Sequence, residues 1–519
     1  MYSVPQEYFL LGMLKALRFF PAWLGVLALV AFRLWFSAVL PMSGDEATFV
    51  LWGEHPAGGY YDHPPMVGWW LTGLLAISRS PWVLRLPSLL LPLVLAGGAW
   101  WLVRPHGAER ARLAALLVLL QPVNVWNVLI TTDTPVILFS MLSIVAYVAA
   151  LRSTARRALC WHAAAGALLG GAFLGKYFAA LLGVAYLAHV LFVRRDAQRW
   201  ACFAVLLLAS LPAPAYNLWW NSAHCWVNIQ FNFINRNAGA AFSWRNPLLY
   251  LTSLAYLATP WLLVEFWRQR RPLRAAFKSG ESLAAGAAWW LAAVPLSIFA
   301  LMSLARPVGL HWLVSFIPLL VVVAAIAMSP SVLVRLTRWS AGLAALQVLV
   351  VVVIAALPMQ TWKSSRFYDG IVLTVRADEL LAQLAPYDAD YLWTMEGYSL
   401  AATLAYNAQR PVAVFGEGSL YARQDDFITD WRAHDGRQLL ILSKSAPVPG
   451  DYAAFFERIE LRDFALHGVT YYLVLGHGFK YAVYHERVLT RIRDRFYRTP
   501  AWLPQRGCDF CERYFPDGE

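Results

Sequence analysis

Unbroken apolar runs of roughly 17–25 residues recur along this chain, and that length constrains its fold more than any other feature. A helix rises about 1.5 Å per residue, so about 20 apolar residues cross the ~30 Å hydrocarbon layer of a membrane. Such runs lie near residues 19–40, 81–103, 110–128, 134–151, 158–174, 177–193, 200–218, 248–267, 284–304, 311–329 and 340–357. They predict a polytopic α-helical membrane protein of about eleven spans. With 59% hydrophobic and 14% charged residues, the chain is not an ordinary soluble domain. The apolar stretch 66–78 is too short to cross and reads as an interfacial or re-entrant helix. The first run is too long for a signal peptide, and no small-residue cleavage site follows it.

The net charge of +12 is carried by arginines in short loops, which makes nucleic acid an unneeded explanation. Lys15 and Arg18 precede the first span. On the same side by alternation fall Arg104, Arg110 and Arg112, then Arg152, Arg156 and Arg157, then Arg194, Arg195 and Arg199. Arg268, Arg270, Arg271, Arg274 and Lys278 follow, then Arg335 and Arg338. The opposite loops hold only Arg79, Lys176, Arg236, Arg245 and Arg306. Positive loops face the cytoplasm, so the first long loop, residues 41–80, is expected outside. Beyond the membrane body, residues 1–357, the composition changes. Residues 358–519 are richer in charge, with strand-length runs at Tyr391–Met395, Pro411–Phe415, Leu439–Leu442 and Val469–Leu475. Helix-like stretches fall around Val375–Leu384 and Ser399–Ala405, and a basic segment runs from Lys480 to Arg498. This reads as an extracytoplasmic α/β domain.

The loop at 41–80 carries the chemistry. Asp45 and Glu46 follow a Ser-Gly turn where the first span ends, and Asp62 lies in the same loop. An aspartate there can take a proton from a hydroxyl acceptor, and it can equally cap an interfacial helix. Asp133, in Thr131-Thr132-Asp133-Thr134-Pro135, is the second candidate, with helix capping as its plain alternative. Arg33, Arg85, Lys176 and Arg306 are cations near the outer face that suit a phosphate, or internal pairing and snorkelling. Glu54, His55, Asp62 and His63 could hold a divalent metal, though their spacing matches no strong ligand pattern. Cys508 and Cys511, three apart and outside the cytoplasm, are expected to form a local disulfide. Neither a Walker loop nor a dinucleotide fingerprint is present.

Taken in order, "GDEATFVLW", "GYYDHPPMVGWW", "RLPS", "TTDTP", "FLGKYFA", "YNLWWNSAHCWVNIQFNFINR" and "RPVGLHW" resemble the bacterial glycosyltransferase family 39/83 group. That group includes relatives of the protein O-mannosyltransferases and of the aminoarabinose transferase acting on lipid A. The resemblance implies a GT-C fold with the first outer loop at the active site, and inverting transfer from a polyprenyl phosphate sugar, undecaprenyl phosphate in most bacteria. Asp45, Glu46 and Asp133 fall on the family's acidic positions. Tyr61, Asp62, His63, Arg85, Lys176, Asn221, His224, Arg236 and Arg306 fall in the matched motifs as substrate-binding candidates, with Lys176 expected on donor phosphate. His63 stands where the aminoarabinose transferase has a lysine before its paired prolines, so the sugar is not simply transferable.

The expectation is therefore a bacterial inner-membrane transferase with its site and C-terminal domain in the periplasm, and lipid A or other lipopolysaccharide as acceptor. Protein or other envelope-glycan glycosylation is the enzymatic alternative. A flippase for lipid-linked sugars is the rival from another class, disfavoured by the absence of visible inverted repeats.

Overall fold

In the computed structural model, residues 24–237, 241–271, 273 and 283–516 are described. Lys15, Arg18, Arg274 and Lys278, used above for orientation, lie outside them. Five helices are long and apolar enough to cross a membrane: Pro81–His106, Asp133–Leu151, Arg199–Ala223, Leu283–Met302 and Pro330–Ala356. Two bent pairs raise the number to seven if each is one span. Leu24–Val39 meets Gly44–Glu54 at 78°, and Arg245–Ala258 meets Pro260–Arg268 at 90°. The count falls below eleven because several apolar runs are not single helices. The run at 110–128 breaks at Gln121-Pro122 into Ala108–Leu119 and Pro122–Trp126. The first of these, 12 residues, is only about 18 Å long. The run at 311–329 likewise splits into Leu310–Leu313 and Ile317–Ala327. Ala155–Phe173 has the length but carries Arg156, Arg157 and His162. It also approaches Arg199–Ser210 closely: a Cβ at Gly166 would collide with the Leu206 carbonyl.

The loop at residues 41–80 is folded against this body. Ser43 caps the helix Gly44–Glu54, and the Glu46 side chain closes a capping box back onto it. Tyr60 stacks on Trp52, ring centres 4.4 Å apart, and lies so close over Gly68 that a Cβ there has no room. The expected short element is the ten-residue helix Met66–Leu75, whose first amide bonds the Leu174 carbonyl at 3.0 Å.

The C-terminal region holds a five-stranded mixed sheet of β1 (Leu392–Met395), β2 (Ala413–Val414), β3 (Leu439–Ser443), β4 (Phe456–Leu466) and β5 (Val469–Phe479), in the order β2-β1-β3-β5-β4. β1 pairs in parallel with β2 and β3, whereas β5 runs antiparallel to β3 and β4. Helices Ala377–Leu384 and Tyr398–Ala408 pack on it. Residues Tyr481–Tyr497 form helical turns, two of them π, behind the other face. The disulfide departs from expectation. Cys508 bonds Cys225, 283 residues away, and Cys511 stays free with its sulfur 2.7 Å from that of Cys508. Folding brings the 224–230 turn against the tail, a proximity that local spacing cannot show.

Candidate active site

A cavity of about 500 Å³ lies between the outer loop, the membrane body and the C-terminal domain. Asp45, Asp62, His63, Asp133, Lys176, Arg236 and His311 all line it. Leu91, Pro92 and Ile137 from two of the long helices give it an apolar wall, and Ser399, Tyr421 and Ala422 come from the C-terminal domain. A second cavity of about 650 Å³ sits beside Arg194 and Asp196, but that pair is closed on itself and no acidic pair faces the space.

The two neighbouring acids of the loop part company. Asp45 is exposed to the cavity. Glu46, one helical step further round, is 1% exposed and takes a two-pronged bond from Arg85, at 2.8 and 2.7 Å. The same carboxylate accepts the Ile130 amide at 3.1 Å. The remaining Arg85 donors go to the carbonyls of Ser37, Leu40 and Pro41. This knot joins the first helix, the outer loop and the second hairpin, and neither residue reaches the cavity. Arg33 is also buried, donating to the Asn124 and Ser88 carbonyls.

Asp133 opens the helix Asp133–Leu151 at its first turn, with Thr132 in the capping position and no side-chain cap bond. Its Oδ2 receives Lys176 Nζ at 3.0 Å and stands 3.8 Å from His311 Nε2, while its Oδ1 is buried without a hydrogen bond. Lys176 occupies the tight turn between Ala155–Phe173 and the following helix, held by its amide on the Ala172 carbonyl. Asp62 and His63 face the same space, 3.2 Å apart. Burial opposes the charge of Asp62, but His63 and backbone hydrogen bonds at Asp62 and Ala422 hold its carboxyl below the usual range. Arg236 lies over the Trp312 ring at 5.2 Å. Arg306 is half-buried; desolvation, and then the nearby Arg236 charge, lowers its pKa.

Besides Glu46 and Arg85, four sequence-predicted residues do not line the cavity: Arg306, Tyr61, Asn221 and His224. Tyr61 turns away from the cavity into the domain interface, tilted against Phe231 and edge-on to Tyr497. Asn221 is fully buried and braces its own turn through Asn217 and the Ile229 amide. His224 stacks on Trp220 and approaches Asp509 at 3.5 Å. The proposed metal quartet is not assembled: Glu54 pairs with Arg79, and exposed His55 bonds the Leu51 carbonyl. Among the described residues the metal-capable cluster is Cys225, Cys508 and Cys511, two of which form the disulfide. His311 and Tyr421 were not singled out from the sequence. His311 lies inside the "RPVGLHW" motif, which was its one signal. Burial pushes its ring down, the pull of Asp133 being countered by Lys176, Arg236 and His63.

These features define a helical membrane protein with an acidic loop at residues 41–80 roofed by a C-terminal mixed-sheet region. The family model for dolichyl-phosphate-mannose-protein mannosyltransferases matches residues 62–220 of this chain. A curated relative, the lipid A galacturonosyltransferase RgtD of Rhizobium johnstonii, is 29% identical over 212 residues, which is 38% of this chain. The chain thus aligns with 44% of that relative's length. The crystal structure of ArnT from Cupriavidus metallidurans bound to undecaprenyl phosphate shares the fold, with a TM-score of 0.60 at 16% identity. The match covers 87% of this chain and 97% of ArnT.

Proposed function

We propose that this protein transfers a sugar from undecaprenyl phosphate to lipid A or another part of lipopolysaccharide at the periplasmic face of the inner membrane. The observation that carries this reading is the single cavity in which an open carboxylate, Asp45, shares space with the Lys176–Asp133 pair, Arg236 and an apolar wall from the long helices. ArnT was crystallised with undecaprenyl phosphate, and RgtD acts on lipid A, which supports a lipid-linked donor and a lipid A acceptor here.

The acceptor oxygen attacks the anomeric carbon from the face opposite the phosphate, the bond from that carbon to the phosphate oxygen breaks, and undecaprenyl phosphate departs. Its charge grows on leaving, so cations rather than a proton donor lower the barrier. Lys176 is positioned by Asp133, and Arg236 with Arg306 adds further positive charge. Arg85, sealed against Glu46, takes no part in this step. Asp45 accepts the proton of a hydroxyl acceptor. With a lipid A phosphate as acceptor, already ionised, Asp45 orients the group instead. The Asp62–His63 pair and the unbonded Asp133 oxygen offer hydrogen-bond partners for the sugar.

Mass spectrometry of lipopolysaccharide, lipid A included, from a deletion strain complemented with wild type or Asp45→Asn tests this reading. One sugar mass restored by wild type and not by the variant supports it. An unchanged profile with the protein expressed sinks the lipopolysaccharide assignment and moves the search to glycoproteins and other envelope glycans.

A further inference from the structure

The cavity is lined from two unlike parts of the chain. Leu91, Pro92 and Ile137, from helices long enough to lie in the membrane, form one side. Ser399, Tyr421 and Ala422, from the sheet domain, form the other. Tyr421 is a large aromatic left 53% exposed, although its ring already packs edge-on against buried Phe231 at 5.6 Å.

The backbone around it is built to present it. Ala422 has φ +59°, a left-handed conformation that a residue with a Cβ adopts only where its surroundings impose it. That turn sends consecutive side chains in opposite directions. Arg423 goes inward, fully buried, to the carbonyls of Glu417 and Ser419 and the Asp426 carboxylate. Gln424 then accepts the Tyr61 amide at 2.9 Å, tying the segment to the acidic loop one residue from Asp62. Tyr421 is therefore held rigidly on the cavity wall that Asp62 and His63 also line.

We propose that Tyr421 is the acceptor-specificity residue of this site, packing the face of an acceptor sugar ring whose hydroxyls reach Asp62 and His63. This rests on the glycosyl-transfer reading above. A pyranose has an apolar face of C–H bonds and a polar rim, and a fixed aromatic ring beside a carboxylate complements both. Tyr421 comes from the sheet region rather than from the apolar helices suited to a prenyl chain, so it meets the acceptor rather than the donor lipid.

The test is steady-state kinetics of the purified full chain in detergent. Polyprenyl phosphate sugars extracted from membranes of a deletion strain serve as donor, and lipopolysaccharide from that strain as acceptor. Release of undecaprenyl phosphate is the readout. Tyr421→Ala and Tyr421→Leu are expected to raise the acceptor KM about three- to tenfold, the loss of one aromatic contact, with donor KM and kcat unchanged. Tyr421→Phe should restore the wild-type value. An unchanged acceptor KM in Tyr421→Ala overturns the inference, as does a rise confined to the donor KM or a Leu variant equal to wild type. A wild type that turns over no extracted pair overturns the glycosyl-transfer reading, and this inference with it. An active wild type with insensitive variants overturns this inference alone.

Discussion

Asp45 and Glu46 are adjacent in sequence and opposite in use. The capping box at Ser43 decides this by fixing where the helix starts, and a helix turns about 100° per residue, so one carboxylate faces the cavity and the next faces Arg85. Asp45→Asn is expected to lower turnover about 10²–10⁴-fold with a hydroxyl acceptor while leaving the melting temperature unchanged. Arg85→Ala does the reverse. It strands a buried carboxylate and should cost about 3–5 kcal/mol of stability, read as loss of folded protein in a thermal melt. Asp425, in the segment that presents Tyr421, makes a pH prediction. Burial pushes its carboxyl up to about 7, with bonds from Thr429 and the Val414 amide only partly offsetting it. The folded chain therefore holds this proton more tightly than the unfolded one, whose carboxylate titrates near about 4. Stability from this group is complete below about pH 4 and is lost as pH rises to about 7. Melting curves across that window should lose that contribution to their slope in Asp425→Asn.

At the scale of elements, the apolar strands were readable and the charged one was not. β1, β2, β3 and β5 fall on the four predicted runs. β4, Phe-Glu-Arg-Ile-Glu-Leu-Arg-Asp-Phe-Ala-Leu, is an edge strand largely open to solvent, and its identity comes from pairing with β5 rather than from an apolar run. The hairpin turn between them places His467 and Gly468 at positive φ. The membrane body erred the other way: periodic apolarity ran through Gln121-Pro122, where the helix in fact ends. The tail element carries a covalent prediction. Peptide mapping under non-reducing conditions should recover Cys225 linked to Cys508. Cys508→Ser should lower stability by about 2–4 kcal/mol in denaturant titration, while Cys511→Ser should leave it unchanged. Recovery of a Cys508–Cys511 link would overturn the long-range pairing.

At the scale of the whole molecule, the C-terminal domain is docked on the acidic loop rather than tethered beside it. The helix Tyr398–Ala408 packs on Gly44–Glu54, with Ser399 touching the Gly44 position, and Tyr406 bonds the Arg79 carbonyl at 2.9 Å. Buried Arg423 and Tyr497, both bonded to the Asp426 carboxylate, hold the Tyr421 segment from within. The proposed orientation follows from the basic loops and has a direct check. In a background stripped of native thiols, Trp502→Cys, exposed at 75%, should react with a membrane-impermeant maleimide in intact spheroplasts. Labelling only after lysis would invert the topology.

The sequence alone marked the chain as a helical membrane protein with a C-terminal sheet region, since apolar run length is a local property that the bilayer reads directly. It also carried the order of the family motifs, and through them Asp45, Asp133, Lys176 and Arg236, all of which line the cavity. Which side chain in a motif faces the cavity is a different matter. Glu46 and Arg85 neutralise each other, Tyr61 packs into the domain interface, Asn221 braces a turn, His224 stacks on Trp220, and Tyr421 reaches the cavity from a region that the family model does not cover. Those roles depend on contacts between residues tens to hundreds of positions apart, such as Cys225 with Cys508 or Tyr61 with Gln424. Pairing, burial and direction are set only when the chain closes on itself, so the tertiary structure alone decided them.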